Sequence, residues 1–540
     1  MKARILGQYS LLLAVVAGAC MASAQSNWTT VVNNGSVMPG SNNIVFNSYN
    51  QPSVNDLGTV VFRARSQGGN GSGGGSGSGG GGPVHGIYMR NMLRGTATIR
   101  IFDKTSAVPQ PNNTGATFTE FPSFPRIDLL TNTIATRGAS QPVWTYSLNG
   151  IDDTKVGTSG VYAVQRSDDL TAASQLGAVP AYSFFQVPGV TPGLRFDQFP
   201  GAPAVSGTSI VVKGNYTEVD TETNTSLSKT GIYFRNIIKG GGVSPVQRIA
   251  DMSTLIPNRP VGSTQAFGAT APPSAALGMV VFTGWDNENS PTIGGIYSAP
   301  LKSDPALTTL LGIGAQVPGE SAGVTFTNFG ESLSFDGRFL AFWGSWGDQM
   351  RYVDLTCPTD GNADLIADCL KLYPNGVSMP EPLHQGIFVY DRITGTTTVL
   401  AKSPTNFDDF LYWVYSGKPS VAGNTEENSD GEPARWRSAA FTAVSAKQQT
   451  FKAVFKAHKD NPKVDGIYYY DATAGSNITT LVDTTTSGQA IDPKAPAGST
   501  VVSLGVERDG LRGNWLAITV SMLNATDNLS WAGVYTTNLR

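Results

Sequence analysis

Gly533-Val534-Tyr535-Thr536-Thr537-Asn538-Leu539-Arg540 is the last stretch of the sequence, and its first three residues are the seventh copy of a Gly-Ile/Val-Tyr/Phe triplet. The earlier copies are Gly86-Ile87-Tyr88, Gly160-Val161-Tyr162, Gly231-Ile232-Tyr233, Gly295-Ile296-Tyr297, Gly386-Ile387-Phe388 and Gly466-Ile467-Tyr468. They stand 64 to 91 residues apart, so one supersecondary unit repeats along nearly the whole chain. A β-branched or aromatic run precedes most copies: Val60-Val61-Phe62, Ile210-Val211-Val212, Val280-Val281-Phe282, Phe339-Leu340-Ala341-Phe342, Ala439-Ala440-Phe441 and Trp515-Leu516-Ala517-Ile518. Turn residues such as Asn55-Asp56-Leu57-Gly58 come before it, and turn chemistry ahead of an apolar run is a hairpin signal. A short segment, Pro52-Ser53-Val54 or Pro419-Ser420-Val421, precedes the turn, and a run rich in Thr and aliphatics follows the triplet. Each repeat therefore reads as four strands, A to D, with the triplet opening C.

The D run is Thr96-Ala97-Thr98-Ile99 in the first repeat, Thr308-Thr309-Leu310-Leu311 in the fourth and Thr479-Thr480-Leu481-Val482 in the sixth. The seventh has none, since only five residues follow Tyr535. Its match stands at the other end, as Thr29-Thr30-Val31-Val32. A linear array has no use for that exchange. A closed ring does, because a borrowed strand ties the circle shut and removes an open edge. The expected fold is all-β: one seven-bladed β-propeller over 25–540 with four-stranded blades, in which residues 28–34 complete blade 7. Small residues in the A segments (Ser53, Ala202, Ala204, Ser274, Ala275, Ser332, Ser334, Ser420, Ser503) suit strands crowded around an axis.

Asn55-Asp56-Leu57-Gly58-Thr59-Val60-Val61-Phe62 resembles the N-x-x-G-x-x-A-F motif of a group of exported bacterial tandem-repeat proteins, with Val61 in the Ala position. The fifth repeat, Ser334 to Phe342 followed by Gly386-Ile387-Phe388-Val389-Tyr390-Asp391, is similar to TolB-type propeller repeats. The resemblance implies a propeller and carries over no catalytic residue.

Lys2 and Arg4, an apolar Leu11 to Ala19 and a small-residue Ala22-Ser23-Ala24 make residues 1–24 a signal peptide. No later run is apolar enough to span a membrane. A secreted, extracellular protein is expected, with a periplasmic location or a lipid anchor through Cys20 as the alternatives. Without Lys2 and Arg4 the formal charge moves from −3 to −5, and no dense basic run offers a nucleic-acid footprint. Cys357 and Cys369 are the cysteines left after the signal; one local disulfide is expected between them.

Length variation concentrates in the B–C connections: a Gly/Ser tract at 68–82, an insertion at 215–229, and about 346–383 around the cysteines. In a four-stranded blade the B–C and D–A connections share one face, and one-sided insertions mark a binding face. His85, His384 and His458 fall there too, without metal-ligand spacing. A Phe-x-x-Phe pattern recurs before the A strands, and the residues inside it are oxygen donors placed near the mouth of the axial channel. Glu120, Asp197, Asn328, Asp408 and Asp409 are therefore the candidate ligand-binding residues, with satisfaction of turn backbone as the competing role. Asp360, Asn362, Asp364 and Asp368 resemble the front of a calcium loop, but Leu365 stands where the turn glycine belongs and Lys371 where the closing Glu belongs. Calcium there is the one cofactor expectation. No G-x-S-x-G, P-loop or H-E-x-x-H occurs. The expected function is a monomeric, non-enzymatic binding scaffold for a protein or glycan. The alternatives are a polysaccharide hydrolase or lyase at the channel mouth, and a structural extracellular matrix component.

Overall fold

A computed structural model describes residues 27–539 apart from 68–83, 110–116, 142–143, 149–150, 157–159, 166–170, 176–185, 193, 221, 224, 239–241, 360–362, 418–432, 461 and 476. Seven antiparallel sheets form the blades of a β-propeller. Blade 1 shows the plan: A (Phe46–Tyr49, then Ser53–Val54), B (Thr59–Ser66), C (His85–Asn91) and D (Ile99–Asp103). Blade 7 takes its D strand from the N-terminus, with Thr29–Asn33 paired antiparallel to Leu529–Asn538 so that Thr29 meets Thr536 and Asn33 meets Gly533. The ring closes as the sequence requires.

The triplet has a physical reason in each blade. At the Ile–Tyr step the C–D pairing shifts register in blades 1 to 6, and the borrowed strand of blade 7 shifts likewise between Thr30 and Val32. Beside this bulge the D-strand backbone presses onto the triplet glycine. A Cβ on Gly295 would lie 2.1 Å from the Leu311 carbonyl oxygen, and one on Gly533 2.6 Å from that of Val32. Only glycine allows that approach. The aromatic ring that follows is core: Tyr88, Tyr162, Tyr233, Tyr297, Phe388, Tyr468 and Tyr535 are all buried.

The motif Asn55-x-x-Gly58 is a capped A–B turn. The Asn55 Oδ1 accepts from Leu57 N (3.1 Å) and Thr59 N (2.9 Å), while Gly58 takes φ 70°. Asp336 does the same in blade 5, accepting from Arg338 N (2.9 Å) and Phe339 N (2.7 Å).

Every A strand but those of blades 3 and 6 is two pieces, separated by a short break at 50–52, 121–125, 271–273, 330–333 and 506–510. In blades 2 and 5 the outer piece carries the Phe-x-x-Phe pattern, which is there strand against the far end of B: Phe326 pairs with Trp346 and Asn328 with Ser345. In blades 3 and 6 the pattern is reduced to a single bridge to B, Gln198–Asn215 and Asp409–His458, ahead of the A strand. Its rings are buried and meet the C-strand aromatic edge-on, as in Phe118–Tyr162 (4.8 Å between centroids) and Phe196–Tyr233 (4.9 Å).

The break in blade 7 fills the axis. Val54 N of blade 1 donates to the Asp509 carbonyl (2.9 Å), and Arg126 of blade 2 reaches Glu507 (2.6 Å) and Asp509 (3.5 Å). Arg508 donates to the Ala202 carbonyl of blade 3 (3.1 Å), and the Ser334 hydroxyl of blade 5 donates to the Arg508 carbonyl (2.6 Å). Arg512 reaches the Val444 carbonyl of blade 6 (2.9 Å) and also Asp509. One short segment can touch this many blades only on the axis. Small residues do line the inner A pieces at Ser53, Ala204, Ser274 and Ser334, and the room they leave is taken by Arg126, Arg508 and Arg512.

Blade 6 departs from the sequence reading. Ala439-Ala440-Phe441 does not start its B strand. The A strand is Thr442–Lys447 and the B strand Thr450–Asp460, joined by a turn with Gln448 at φ 56°. Ala439 and Ala440 belong to a hairpin, Leu411–Ser416 with Arg435–Ala440, set into the break of strand A. Pro419-Ser420-Val421 lies outside the described residues. The Gln-Gln turn carries none of the usual turn residues, which is why the sequence did not disclose the shift.

Candidate functional site

Two faces follow from the strand directions. The upper face carries the B–C and D–A connections, and the lower face carries the A–B and C–D turns. The upper face holds the insertions. In blade 5, strands B (Phe339–Leu355) and C (Val377–Asp391) run on as a long arm, paired from Phe339–Asp391 out to Leu355–Val377. A helix at Ala363–Leu372 follows, and Cys357 and Cys369 are disulfide-bonded as expected. In blade 3 the insertion is simply longer strands, Ser209–Asp220 and Thr225–Ile238. Blade 2 adds a hairpin, Trp144–Leu148 with Ile151–Val156, that the sequence reading missed.

The blade 6 hairpin stands on this face as a finger against the blade 5 arm. Tyr415 donates its hydroxyl to Asp368 of the helix (2.6 Å), and its ring meets Tyr373. Trp413 donates its indole N–H to Glu381 of the arm. Arg435, on the returning strand, pairs with Glu288 in the B–C connection of blade 4 (3.0 Å). The finger thus ties three blades into one raised wall.

The predicted donors now have partners. In blades 2, 5 and 6 the third residue of the Phe-x-x-Phe pattern reaches back to the preceding blade. Glu120 accepts from Arg63 (2.9 Å) and His85 (3.2 Å) of blade 1, and Asn328 accepts from the Trp285 indole of blade 4 (3.2 Å). Asp409 accepts from Arg351 (2.5 Å) and Gln385 (3.3 Å) of blade 5. The second residue holds its own B strand: Asp197 accepts from Thr217, and Asp408 from Asp460 N (2.8 Å). These residues staple blades and turns together. Each lies in its own blade except the neighbours Asp408 and Asp409, and no hydrogen bond or ion pair joins one blade's set to another's among the described residues.

The calcium expectation finds no support in the geometry. Asp360 and Asn362 lie outside the described residues. Asp364 and Asp368 sit on the helix, where the Asp368 carboxylate is buried and accepts the Tyr415 hydroxyl's hydrogen bond. Among the described residues no three His, Cys, Asp or Glu side chains converge as a metal site.

Charge is densest where blades 5 and 6 meet. Arg351 pairs with Glu381 (3.0 Å), Asp409 (2.5 Å) and Asp460 (3.6 Å), and His458 lies between Asp465 (2.7 Å) and Asp460 (2.8 Å). Burial, and then the charge of Asp409, push the Glu381 carboxyl up to about 7 against the pull of Trp413 and Arg351. The hydrogen bond to Asp465 raises His458. Burial brings Lys456, under the Tyr412 ring at 3.6 Å, down to about 8. Glu120 behaves oppositely: burial works to raise it, but His85 and Arg63 outweigh that and hold it at about 2. Sequence reasoning missed Arg351 and Glu381, whose only signal was their place in an insertion.

No helix of the described residues is long and apolar enough to cross a membrane. No family model matches the chain, and no curated protein does. Among solved structures it is similar to polysaccharide lyase Uly1, 10% identical over 93% of this chain and 92% of that chain, with a TM-score of 0.39. It is also similar to a GH62 hydrolase solved with xylotriose (6% identical, 63% of this chain, 90% of that chain, TM-score 0.23). An alpha-L-arabinofuranosidase from Podospora anserina solved with cellotriose is comparable (6% identical, 66% and 94%, TM-score 0.24). At such scores the likeness carries no argument about activity.

Proposed function

We propose that this protein is an exported, non-catalytic propeller that binds a glycan or protein ligand across its upper face. One observation carries the reading. The arm of blade 5, the finger of blade 6 and the longer strands of blade 3 all rise on the same face, and the first two are braced by Glu381–Trp413 and Asp368–Tyr415. A rigid scaffold under variable connections is the common design of a binding platform. The wall presents an exposed ring, Tyr352, and a half-buried one, Trp413, surfaces that stack on sugar rings or anchor a protein.

A polysaccharide-cleaving reading has one observation in its favour: Glu381 sits near neutrality beside Asp409, as a general acid would. Glu381 is fully buried beneath Trp413 and Arg351, and the axis below is filled by Arg508, so no substrate bond reaches it in this structure.

The test is binding of immobilised polysaccharides and extracellular proteins by the mature chain, by a variant with 412–439 replaced by two glycines, and by the lower-face variants L93E and I393E. Loss on removing the finger with retention in the lower-face variants supports the platform. Turnover of the ligand, or loss confined to the lower-face variants, refutes it.

A further inference from the structure

Between blades 3 and 4 the upper face opens into a cleft of about 320 Å³ lined by Asp197, Gln198, Asn215, Ser228, Thr230 and Glu288, among others. Its volume lies at the small end of ligand sites and equals the space of roughly ten water molecules, enough for one pyranose ring with its hydroxyls. The walls are firmly held. Asn215 N donates to the Gln198 carbonyl (2.9 Å), Asp197 N donates to the Asn215 carbonyl (2.8 Å), and the Thr230 and Thr270 hydroxyls meet across the blades (3.1 Å).

Within this frame one polar atom is stranded. The Asn215 side-chain N–H reaches Gln198 Oε1 at 3.4 Å, but its carbonyl oxygen Oδ1 is buried with no donor. An unmet buried acceptor costs about 1–3 kcal/mol, a cost that a donor in the cleft removes once the Asn215 side chain, held only by the long bond to Gln198, turns towards it. The carboxylates at the rim are already engaged: Asp197 by Thr217 and Glu288 by Arg435 of the finger. The other two charges of the lining, Lys213 and Lys229 (the latter 3.9 Å from Glu218), balance these carboxylates. A guest therefore meets a site without net charge, where two side-chain amides and the Ser228 and Thr230 hydroxyls form a set that recognises sugar hydroxyls. The Glu288–Arg435 pair ties the finger to the rim, so the cleft opens beside the wall that gathers the larger ligand.

We propose that this cleft is a subsite for one neutral pyranose, taken as a free sugar or as the end of a glycan chain, with Asn215 Oδ1 accepting a sugar hydroxyl. The proposal rests on the platform reading and narrows its ligand to a glycan.

The experiment is saturation-transfer NMR and calorimetry on the mature chain with glucose, galactose, mannose and xylose, each free and as the tetrasaccharide of its β-linked polymer. Four proteins are compared: the native chain, Asn215→Ala, Ser228→Trp and Tyr352→Ala, with melting temperature as the folding control. At least one sugar should bind the native chain. Asn215→Ala should weaken it about tenfold, the worth of one hydrogen bond to a buried acceptor. Ser228→Trp, an exposed position whose indole would fill the cleft, should abolish it, and Tyr352→Ala should leave it unchanged. Tetrasaccharide binding without free-sugar binding, lost in Ser228→Trp, assigns the cleft to chain ends; free-sugar binding assigns it to single sugars as well. Equal binding by the native chain and Ser228→Trp overturns the cleft and leaves the platform standing. No sugar binding by a chain that captures a protein through its finger overturns the cleft alone, and no binding of any kind overturns both.

Discussion

Blades 6 and 7 place different structures at the same point of the plan, the break in the innermost strand. In blade 7 residues 506–510 turn inward and fill the axis with Glu507, Arg508 and Asp509. In blade 6 residues 411–416 and 435–440 turn outward and stand on the upper face as a finger. Both segments are fastened by charge, but the surroundings differ. At the axis every partner lies inside the ring: Arg126 is buried against Glu507 and Asp509. At the finger Arg435 meets Glu288 with side chains 45% and 40% exposed. A buried network bolts the ring, and a pair open to water fastens the finger to its neighbour. Breaking a buried pair strands a charge, while breaking an open one lets water take its place.

The largest effect is expected from Arg126→Met, which strands Glu507 at the axis. It should cost about 3–5 kcal/mol in urea unfolding, lowering the midpoint of the whole ring. Arg435→Met, which leaves Glu288 to water, should cost less, within about 1 kcal/mol. Its loss should be local, with faster hydrogen exchange in 411–416 and 435–440 and red-shifted Trp413 fluorescence while the ring transition holds. Equal global losses for the two would erase the distinction drawn between them.

pH sharpens the same contrast. Glu381 holds its proton more tightly folded (about 7) than at its ordinary 4.5, so its contribution falls as pH rises from 4.5 towards 7. His458 is also raised; the stability it adds is full below 6.5 and is lost as pH climbs through its folded value. Both slopes run the same way, so the finger's protection against exchange, corrected for the intrinsic pH dependence of amide exchange, should be lower at pH 8 than at pH 5. The blade 1–2 staple runs oppositely. Glu120, held at about 2 against an ordinary 4.5, contributes above pH 4.5 and loses that contribution as pH falls through about 2.

The smallest effect belongs to the disulfide. It joins residues 12 apart inside the insertion; the roughly 3 kcal/mol that chain entropy gives a loop of this size falls on the insertion, so reduction should shift the ring's own unfolding by less than about 1 kcal/mol. A larger shift would mean that the arm of blade 5 supports the ring.

The ring was legible in the sequence because its demands repeat. Gly295 and its equivalents answer one bulge, Asn55 and Asp336 answer one turn, and Thr29-Thr30-Val31-Val32 fits only a missing D strand. The features that occur once were not legible. Nothing in Glu507-Arg508-Asp509 marks an axial plug, because its partners come from four other blades. The finger hid behind a Gln448-Gln449 turn that does not look like one. Glu120 and Asp409 were found by their pattern, but that pattern shows only that oxygen is needed there. Whether it meets a ligand or the neighbouring blade depends on Arg63, His85 and Arg351, which the sequence places far away.

The most direct test is to titrate a bound polysaccharide while following its chain length. Saturable binding with unchanged chain length, lost on removing the finger, is the result expected of a platform whose carboxylates are committed to the fold. New chain ends that accumulate with the native protein and vanish in Glu381→Gln would contradict it.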